Sequence, residues 1–191
     1  MTLDAKTRTE SDSLGSLEIP AEAYWGIHTA RALENFPISQ RPISVYRDLV
    51  RGLAMVKQAS ARANRDIGAL DAERAALIDH ASQLVIDGEF HDQFVVGVIQ
   101  GGAGTSTNMN ANEVITNIAL ELAGREKGDY AFLSPIDHTN RSQSTNDVYP
   151  TAVKIGLSLD LLTLLDELAL LRQSFLAKAV EFHDVLKVGR T

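Results

Sequence analysis

Apolar side chains recur at helical spacing over most of the chain after residue 44. The first such stretch begins at Val45 and fades before Gly68. The second begins at Asp71, a favourable N-cap residue, and ends at Gly88, a residue type favoured just beyond a helix. These two patterns predict a pair of amphipathic helices.

Residues 1–44 have a different pattern. They show little helical periodicity and contain three of the five prolines, so we expect an extended arm with short strands, one of them at residues 16–19. His28, Thr29 and Arg31 are the polar residues of this arm that could point into a site. His28 fits a hydrogen-bonded packing residue equally well.

Residues 151–187 form the longest apolar-periodic run. Large apolar residues make two columns with a spacing of seven: Leu161, Leu168, Phe175 and Phe182 in one, and Leu157, Leu164, Leu171 and Val185 in the other. As a helix this run would span about 55 Å, and a pattern longer than about 25 residues indicates a bundle or coiled coil. We therefore predict a mainly α fold, with a mixed N-terminal helical domain at residues 1–141 and the first long helix of a central bundle at 142–191. The partner helices would come from further chain or from other subunits.

Two loops rich in small polar residues lead into helical patterns. In the first, three glycines within residues 101–104 precede the hydroxyl groups of residues 105–107, and the helical pattern then continues to Gly124. Glycine permits a tight turn, and the free N–H groups and dipole of a helix start favour an anion. Neither the Gly-Lys-Ser/Thr nor the dinucleotide-binding glycine motif is present. An ordinary capped helix start fits this loop equally well.

The second loop, residues 140–151, places five small neutral hydrogen-bonding side chains in front of the predicted long helix. Asp147, at the start of that helix, fits a capping acid better than a catalytic base. The two loops together predict an anion-binding site.

The composition restricts the class of partner. A net charge of −7 and a pI near 5.2 argue against nucleic acid or an anionic membrane as the main partner. The absence of cysteine excludes a disulfide framework, a thiolate metal site and a cysteine nucleophile. His80 and His91 lack the spacing of a helical metal pair, so we expect no metal site. The N-terminus has no signal-peptide core, and we expect a cytoplasmic protein.

Four segments resemble the aspartase/fumarase superfamily: residues 14–29, 33–36, 100–114 and 142–151. They include the sequences Tyr-Trp-Gly, Gly-Ala-Gly-Thr-Ser and Ser-Gln-Ser-Thr-Asn-Asp, in the family's order and at similar intervals. The likeness runs from about residue 8 to the last residue.

The resemblance implies reversible removal of ammonia from L-aspartate to give fumarate through an enediolate-like carbanion, with no organic cofactor. It also implies a homotetramer with active sites built from three subunits. By position, the substrate-binding residues would be Thr105, Ser144, Thr145, Asn146 and Thr191. The candidates for a supporting layer around them are Ser106, Asn108 and His28. Neutral hydroxyl and amide donors can stabilise the dianionic intermediate.

The family's general base, a serine in a mobile loop of the second half, has no counterpart in this sequence. We therefore assign no catalytic residue and expect a fragment of a longer enzyme that is inactive alone.

Two other functions remain open. Fumarases of the family typically have a Gly-Ser-Gly-Thr-Gln loop and a histidine at the position of Ser134, and both differences favour ammonia elimination over hydration of fumarate to malate. A non-catalytic helical assembly module is the other alternative, because a fold does not determine a function. The donor-rich loops argue against it.

Overall fold

The computed structural model describes residues 6–189 and is mainly α-helical, which confirms the predicted fold class. Two antiparallel strands, β1 (Thr7–Asp12) and β2 (Gly15–Pro20), form a hairpin in which Thr7 lies opposite Pro20, and β2 contains the predicted strand at residues 16–19. In this part of the chain five α-helices follow: α1 (Ile27–Asn35), α2 (Arg47–Asp66), α3 (Ala72–Ile86), α4 (Thr105–Leu122) and α5 (Thr145–Glu181). Short helical turns lie at Ile43–Val45, His91–Gln93 and Pro135–Thr139.

Helix α4 lies at the centre of the fold. Every residue from 106 to 120 except Met109 is buried, and the helix packs against all four others. One side of α4 contributes apolar residues to the core, including Val114 and Ile118. The other side is polar, and its asparagine and glutamate side chains bond to surrounding segments. Because buried polar groups need hydrogen-bond partners, these side chains fix the loops around the helix.

The two helices predicted from apolar periodicity are confirmed as α2 and α3. Asp71 is the N-cap of α3, where its Oδ1 accepts a hydrogen bond of 3.0 Å from the backbone N–H of Arg74. Gly88 follows the helix end with a φ of +105°, a conformation that side chains disfavour. Local capping signals were therefore enough to predict both ends of α3.

The prediction of an extended arm over residues 1–44 is wrong where α1 forms. Only two of the nine residues of α1 are buried, so it lacks the apolar stripe that reveals a helix in a sequence. Its start is held instead by two buried carboxylates, because Glu113 accepts from three backbone N–H groups of residues 26–29 and Glu10 accepts from that of Ile27. Negative charge is favourable at a helix N-terminus.

Helix α5 begins and ends six residues earlier than the predicted range of 151–187. Its N-cap is Ser144, whose Oγ accepts from the backbone N–H of Asn146. Pro150 therefore lies inside the helix, where it removes one backbone hydrogen bond, rather than at its start. The loop residues Thr145 and Asn146 consequently belong to the first turn of α5.

Close contact between α2 and the first turns of α5 joins the long helix to the rest of the chain. A Cβ atom added to Gly52 of α2 would lie 2.5 Å from the carbonyl oxygen of Ala152. One added to Gly156 of α5 would lie 3.0 Å from the backbone of Asp48 and Leu49. Two glycines thus permit this crossing, and the predicted division at residue 142 stays a prediction.

Beyond Leu159, every residue of α5 is exposed. Residues of the two apolar columns have about half of their surface exposed, as for Leu161 at 53% and Leu171 at 51%. The helix is long and apolar enough to cross a membrane by length and mean hydropathy alone. Asp160, Asp166 and Glu167 near its middle fit the bundle helix predicted from the sequence better than a membrane span.

Candidate functional site

The two polar loops meet at one cleft of about 500 Å³, formed where the first turns of α4 and α5 lie side by side. Gln100 and the glycine loop line one wall, and Asn146, Tyr149 and Pro150 line the other. The Tyr149 ring lies so close to Gly104 that an added Cβ would overlap it. Gly104 also has a φ of +96°, so both space and backbone conformation favour glycine there.

The start of α4 presents free backbone donors beside this cleft. Gln100 accepts a hydrogen bond of 2.9 Å from the backbone N–H of Thr107 and donates to its hydroxyl group. The N–H groups of Thr105 and Ser106 have no acceptor among the described residues. Thr105 is exposed and Ser106 is 9% exposed. This end of α4 can therefore bind an anion.

The start of α5 presents hydroxyl and amide side chains to the same region. Ser144 and Asn146 are exposed, and Thr145 is half-buried. The Thr145 Oγ1 accepts a hydrogen bond of 3.1 Å from the Nδ2 of Asn108, which joins α5 to α4. Asp147 lies in the first turn of α5, where its charge complements the helix dipole.

A buried lysine on α2 lies behind these residues. The Lys57 Nζ donates to the side-chain oxygens of Asn108, Asn140 and Gln143 at 2.7, 3.0 and 2.9 Å. Lys57 is completely buried, and this burial lowers its pKa to about 7. Its three partners are neutral amides.

Asn140 connects this cluster to the polar side of α4. Its Oδ1 accepts from Lys57, from Asn108 at 3.1 Å and from Asn112 at 3.2 Å. Its Nδ2 donates to the carbonyl oxygen of Gln143. The segment that enters α5 is therefore held by hydrogen bonds from both α2 and α4.

The structure brings most of the sequence-predicted residues to one place. Those at or beside the starts of α4 and α5 are Thr105, Ser106, Asn108, Ser144, Thr145 and Asn146. Of these six, Asn146 lines the cleft, and the other five lie outside its lining. Thr191 lies outside the described residues. The roles assigned to all of these residues stay predictions.

His28 and Arg31 lie elsewhere. His28 lines a separate cleft of about 330 Å³ that shares no lining residue with the first, and its backbone N–H donates to Glu113. Arg31 forms an ion pair with Asp12, at 2.6 and 2.7 Å, and holds the β1–β2 hairpin against α1. Thr29 is buried, with its backbone N–H bonded to Glu113.

Lys57 was not predicted as a site residue, and Asn140 and Gln143 were predicted only as part of the loop at residues 140–151. A signal for Lys57 was present, because it follows Leu53 by four positions and Val50 by seven and so lies on the apolar face of α2. A lysine on such a face has to find buried partners. Those partners lie more than 50 positions further along the chain, where the sequence alone could not place them.

No group of three or more histidine, aspartate or glutamate side chains that could hold a metal ion occurs between residues 6 and 189. The cleft is instead lined by Gln100, Asn146 and Tyr149 among glycine and apolar residues, and the starts of α4 and α5 lie beside it. This set suits a small anion better than a cation.

Known proteins with similar sequences are lyases. The chain is 57% identical over 191 residues to an aspartate ammonia-lyase of Pseudomonas fluorescens, and the match covers all of this chain and 40% of the relative. It is 51% identical over 185 residues to the aspartate ammonia-lyase of Escherichia coli strain K12, covering 96% of this chain and 39% of that protein. The chain therefore spans about 40% of the length of these relatives.

Solved structures agree in fold. The native structure of a protein described as fumarate lyase:delta crystallin from Brucella melitensis matches with a TM-score of 0.95 and 52% identity, covering 97% of this chain and 43% of that one. A class II fumarase from Schistosoma mansoni matches with a TM-score of 0.85 and 34% identity, covering 97% of this chain and 39% of that one.

A family model described as lyase matches residues 15–191 and so includes both loops of the cleft. Because this match takes in most of the chain, the chain belongs to the lyase family, as its aspartase/fumarase-like motifs predict.

Proposed function

We propose that this chain forms part of an aspartate ammonia-lyase, which removes ammonia reversibly from L-aspartate to give fumarate. The observation that carries the proposal is that the donor-rich starts of α4 and α5 lie side by side, joined by the Asn108–Thr145 hydrogen bond, next to one cleft. Identity of 50–58% to aspartate ammonia-lyases, against 34% to the class II fumarase, supports ammonia rather than water as the leaving group.

The proposed substrate contacts are the side chains of Thr105, Ser144, Thr145 and Asn146, with Thr191 as a further contact predicted by family resemblance. Ser106 and Asn108 support these residues from α4. His28 lies in a separate cleft of this chain, so a role for it would require a surface completed by another part of the protein.

The chemistry explains why neutral donors suit this position. A base removes a proton from the carbon next to one carboxylate, and the electron pair first collects on that carboxylate as an enediolate-like dianion. The pair then forms the carbon–carbon double bond while the carbon–nitrogen bond breaks and ammonia leaves. Hydrogen bonds to a charged group contribute about 1.5–3 kcal/mol each, so several fixed donors lower the barrier substantially.

No residue of this chain is proposed as the base. Family resemblance places it in a serine-containing loop with no counterpart among these 191 residues. We further propose a cytoplasmic homotetramer in which α5 joins a central bundle and other subunits contribute to each active site. The exposed apolar columns of α5 support assembly, since isolated large apolar surfaces are uncommon on monomers.

The test is fumarate formation from L-aspartate by the full-length protein, followed by ultraviolet absorbance, with malate assayed in parallel. A Thr145→Val variant should lower kcat/KM for aspartate by about 10- to 100-fold, the loss expected for one hydrogen bond to a charged group. Thr151→Val is the matched control, because Thr151 is an exposed threonine on the same helix that, at roughly 100° per residue, faces about 120° away from Thr145.

The outcomes separate the candidate functions. Turnover of malate without turnover of aspartate would identify a fumarase instead. If neither substrate gives fumarate, the lyase proposal fails and a non-catalytic assembly role gains support.

A further inference from the structure

The hydrogen bonds around Lys57 have a fixed direction. Below its lowered pKa of about 7 the Lys57 ammonium group has three protons and no acceptor, and each proton meets one side-chain oxygen: that of Asn108, Asn140 or Gln143. The amide of each partner must therefore turn its oxygen towards Lys57 and its nitrogen away from it. One side chain thus determines which way three amides face.

The amide orientation that Lys57 imposes on Asn108 also determines the hydrogen bond from Asn108 to Thr145, a candidate substrate-binding residue. Since Asn108 gives its oxygen to Lys57, its Nδ2 is left to donate, and it donates to Asn140 Oδ1 and to Thr145 Oγ1, each at 3.1 Å. The Thr145 hydroxyl group accepts this bond. Its own proton then remains available for an acceptor at the start of α5, such as a substrate carboxylate oxygen.

The same lysine also orients the segment that precedes α5. Gln143 gives its oxygen to Lys57 and donates from Nε2 to the carbonyl oxygens of Thr139 and Arg141 at 2.9 and 3.2 Å. Ser142, in the middle of this segment, has a φ of +59°, an uncommon conformation for a residue with a side chain. The hydrogen bonds of Gln143 therefore hold this segment in one conformation, and the bond to Lys57 orients the Gln143 amide.

A purely structural role is a poor explanation for a lysine here. Between residues 6 and 189 its hydrogen-bond partners, Asn108 on α4 and Asn140 and Gln143 on the segment before α5, are all uncharged. A buried charge without a carboxylate partner destabilises the fold, and an apolar side chain of similar volume would avoid this penalty. A role in the anion-binding site next to it would explain why a positive charge is retained here despite the free-energy cost of burying it.

We propose that Lys57 is a positioning residue of the active site, which acts through Asn108 to make the Thr145 hydroxyl group a hydrogen-bond donor to the substrate. Lys57 does not touch the substrate in this arrangement. The proposal rests on the proposed lyase function and adds to it a residue from α2, outside the two loops.

A double-mutant cycle in the full-length protein tests this relay. The variants are Lys57→Met, Thr145→Val and the combination of both, and kcat and KM for L-aspartate are measured for each below the Lys57 pKa of about 7, where the lysine is protonated. Each single variant should lose about 10- to 100-fold in kcat/KM. The kcat/KM of the double variant should be at most about 3-fold below that of the less active single variant, because both changes remove the same hydrogen bond. Lys57→Arg, which retains charge and donors, should recover part of the activity lost in Lys57→Met.

Two controls separate positioning from general damage. Lys127→Met removes a lysine that contacts Glu22 and Tyr24 at the other end of α4, and it should leave kcat/KM unchanged. If Lys57→Met does not give soluble protein, Asn108→Ala replaces it in the cycle, because Asn108 is the proposed intermediate between Lys57 and Thr145.

The outcomes distinguish this proposal from the proposed function. Absence of fumarate formation by the wild-type protein would overturn both. Turnover by the wild type, with losses that multiply in the double variant, would overturn only the relay, because independent losses multiply when two residues act separately.

Discussion

At the scale of single residues, Lys57 should make the stability of the protein depend on pH. Its pKa is lowered from 10.5 to about 7 by burial, so between these values the unfolded chain holds a proton that the folded chain has lost. The free energy of unfolding should therefore rise with pH in this window, by up to about 1.4 kcal/mol per pH unit from this group alone. Below about pH 7 the full penalty of burying the charge applies.

The measurement compares urea denaturation midpoints of the wild-type and Lys57→Met proteins at several pH values from about 7 to 9, at equal protein concentration. The contributions of other groups are common to both proteins, so the difference between them isolates Lys57. The midpoint of the wild type should rise relative to that of the variant as pH rises. Parallel pH dependence would show that Lys57 has an ordinary pKa in the folded protein.

At the scale of helices, the crossing of α2 and α5 depends on Gly52. In an exposed helix a change from glycine to alanine stabilises by about 1 kcal/mol. Here the added methyl group would press against the backbone of Ala152, and overpacking of this kind costs about 1–3 kcal/mol. Gly52→Ala should therefore lower the thermal midpoint of the full-length protein. Ser60→Ala, at a half-exposed position of the same helix, is the control and should not lower the thermal midpoint. An unchanged midpoint for Gly52→Ala would mean that α5 can move away from α2 without loss of stability.

Individual elements show what a sequence can predict. The limits of α3 follow from Asp71 and Gly88, because an N-cap and a residue beyond the helix end act locally. Helix α1 could not be predicted in this way, since carboxylates from β1 and α4 hold its start. The two loops of the site were recognisable from their glycines and hydroxyl groups. The lysine behind them was not, because its role depends on contacts between three distant segments.

At the scale of the whole molecule, α5 presents an apolar surface that the described part of the chain does not cover. The side chains of the two apolar columns within α5 remain 48–68% exposed, among them Leu168 and Phe175. Complete burial of such a side chain contributes about 1.5–3 kcal/mol, so two columns of them could hold an oligomer together. This surface and the family resemblance lead to the same expectation, a bundle formed by several subunits.

A charge placed in one column should disrupt that assembly. Leu168→Asp in the full-length protein should shift the mass measured by light scattering towards smaller species, because a carboxylate in an apolar interface is strongly disfavoured. Gln173→Glu is the matched control. It also adds one negative charge to α5, but at roughly 100° per residue it lies about 140° from Leu168 and 160° from Leu171 around the helix axis. If active sites are shared between subunits, fumarate formation should be lost together with the assembly. An unchanged mass for Leu168→Asp, or equal dissociation of both variants, would contradict a bundle built on these columns.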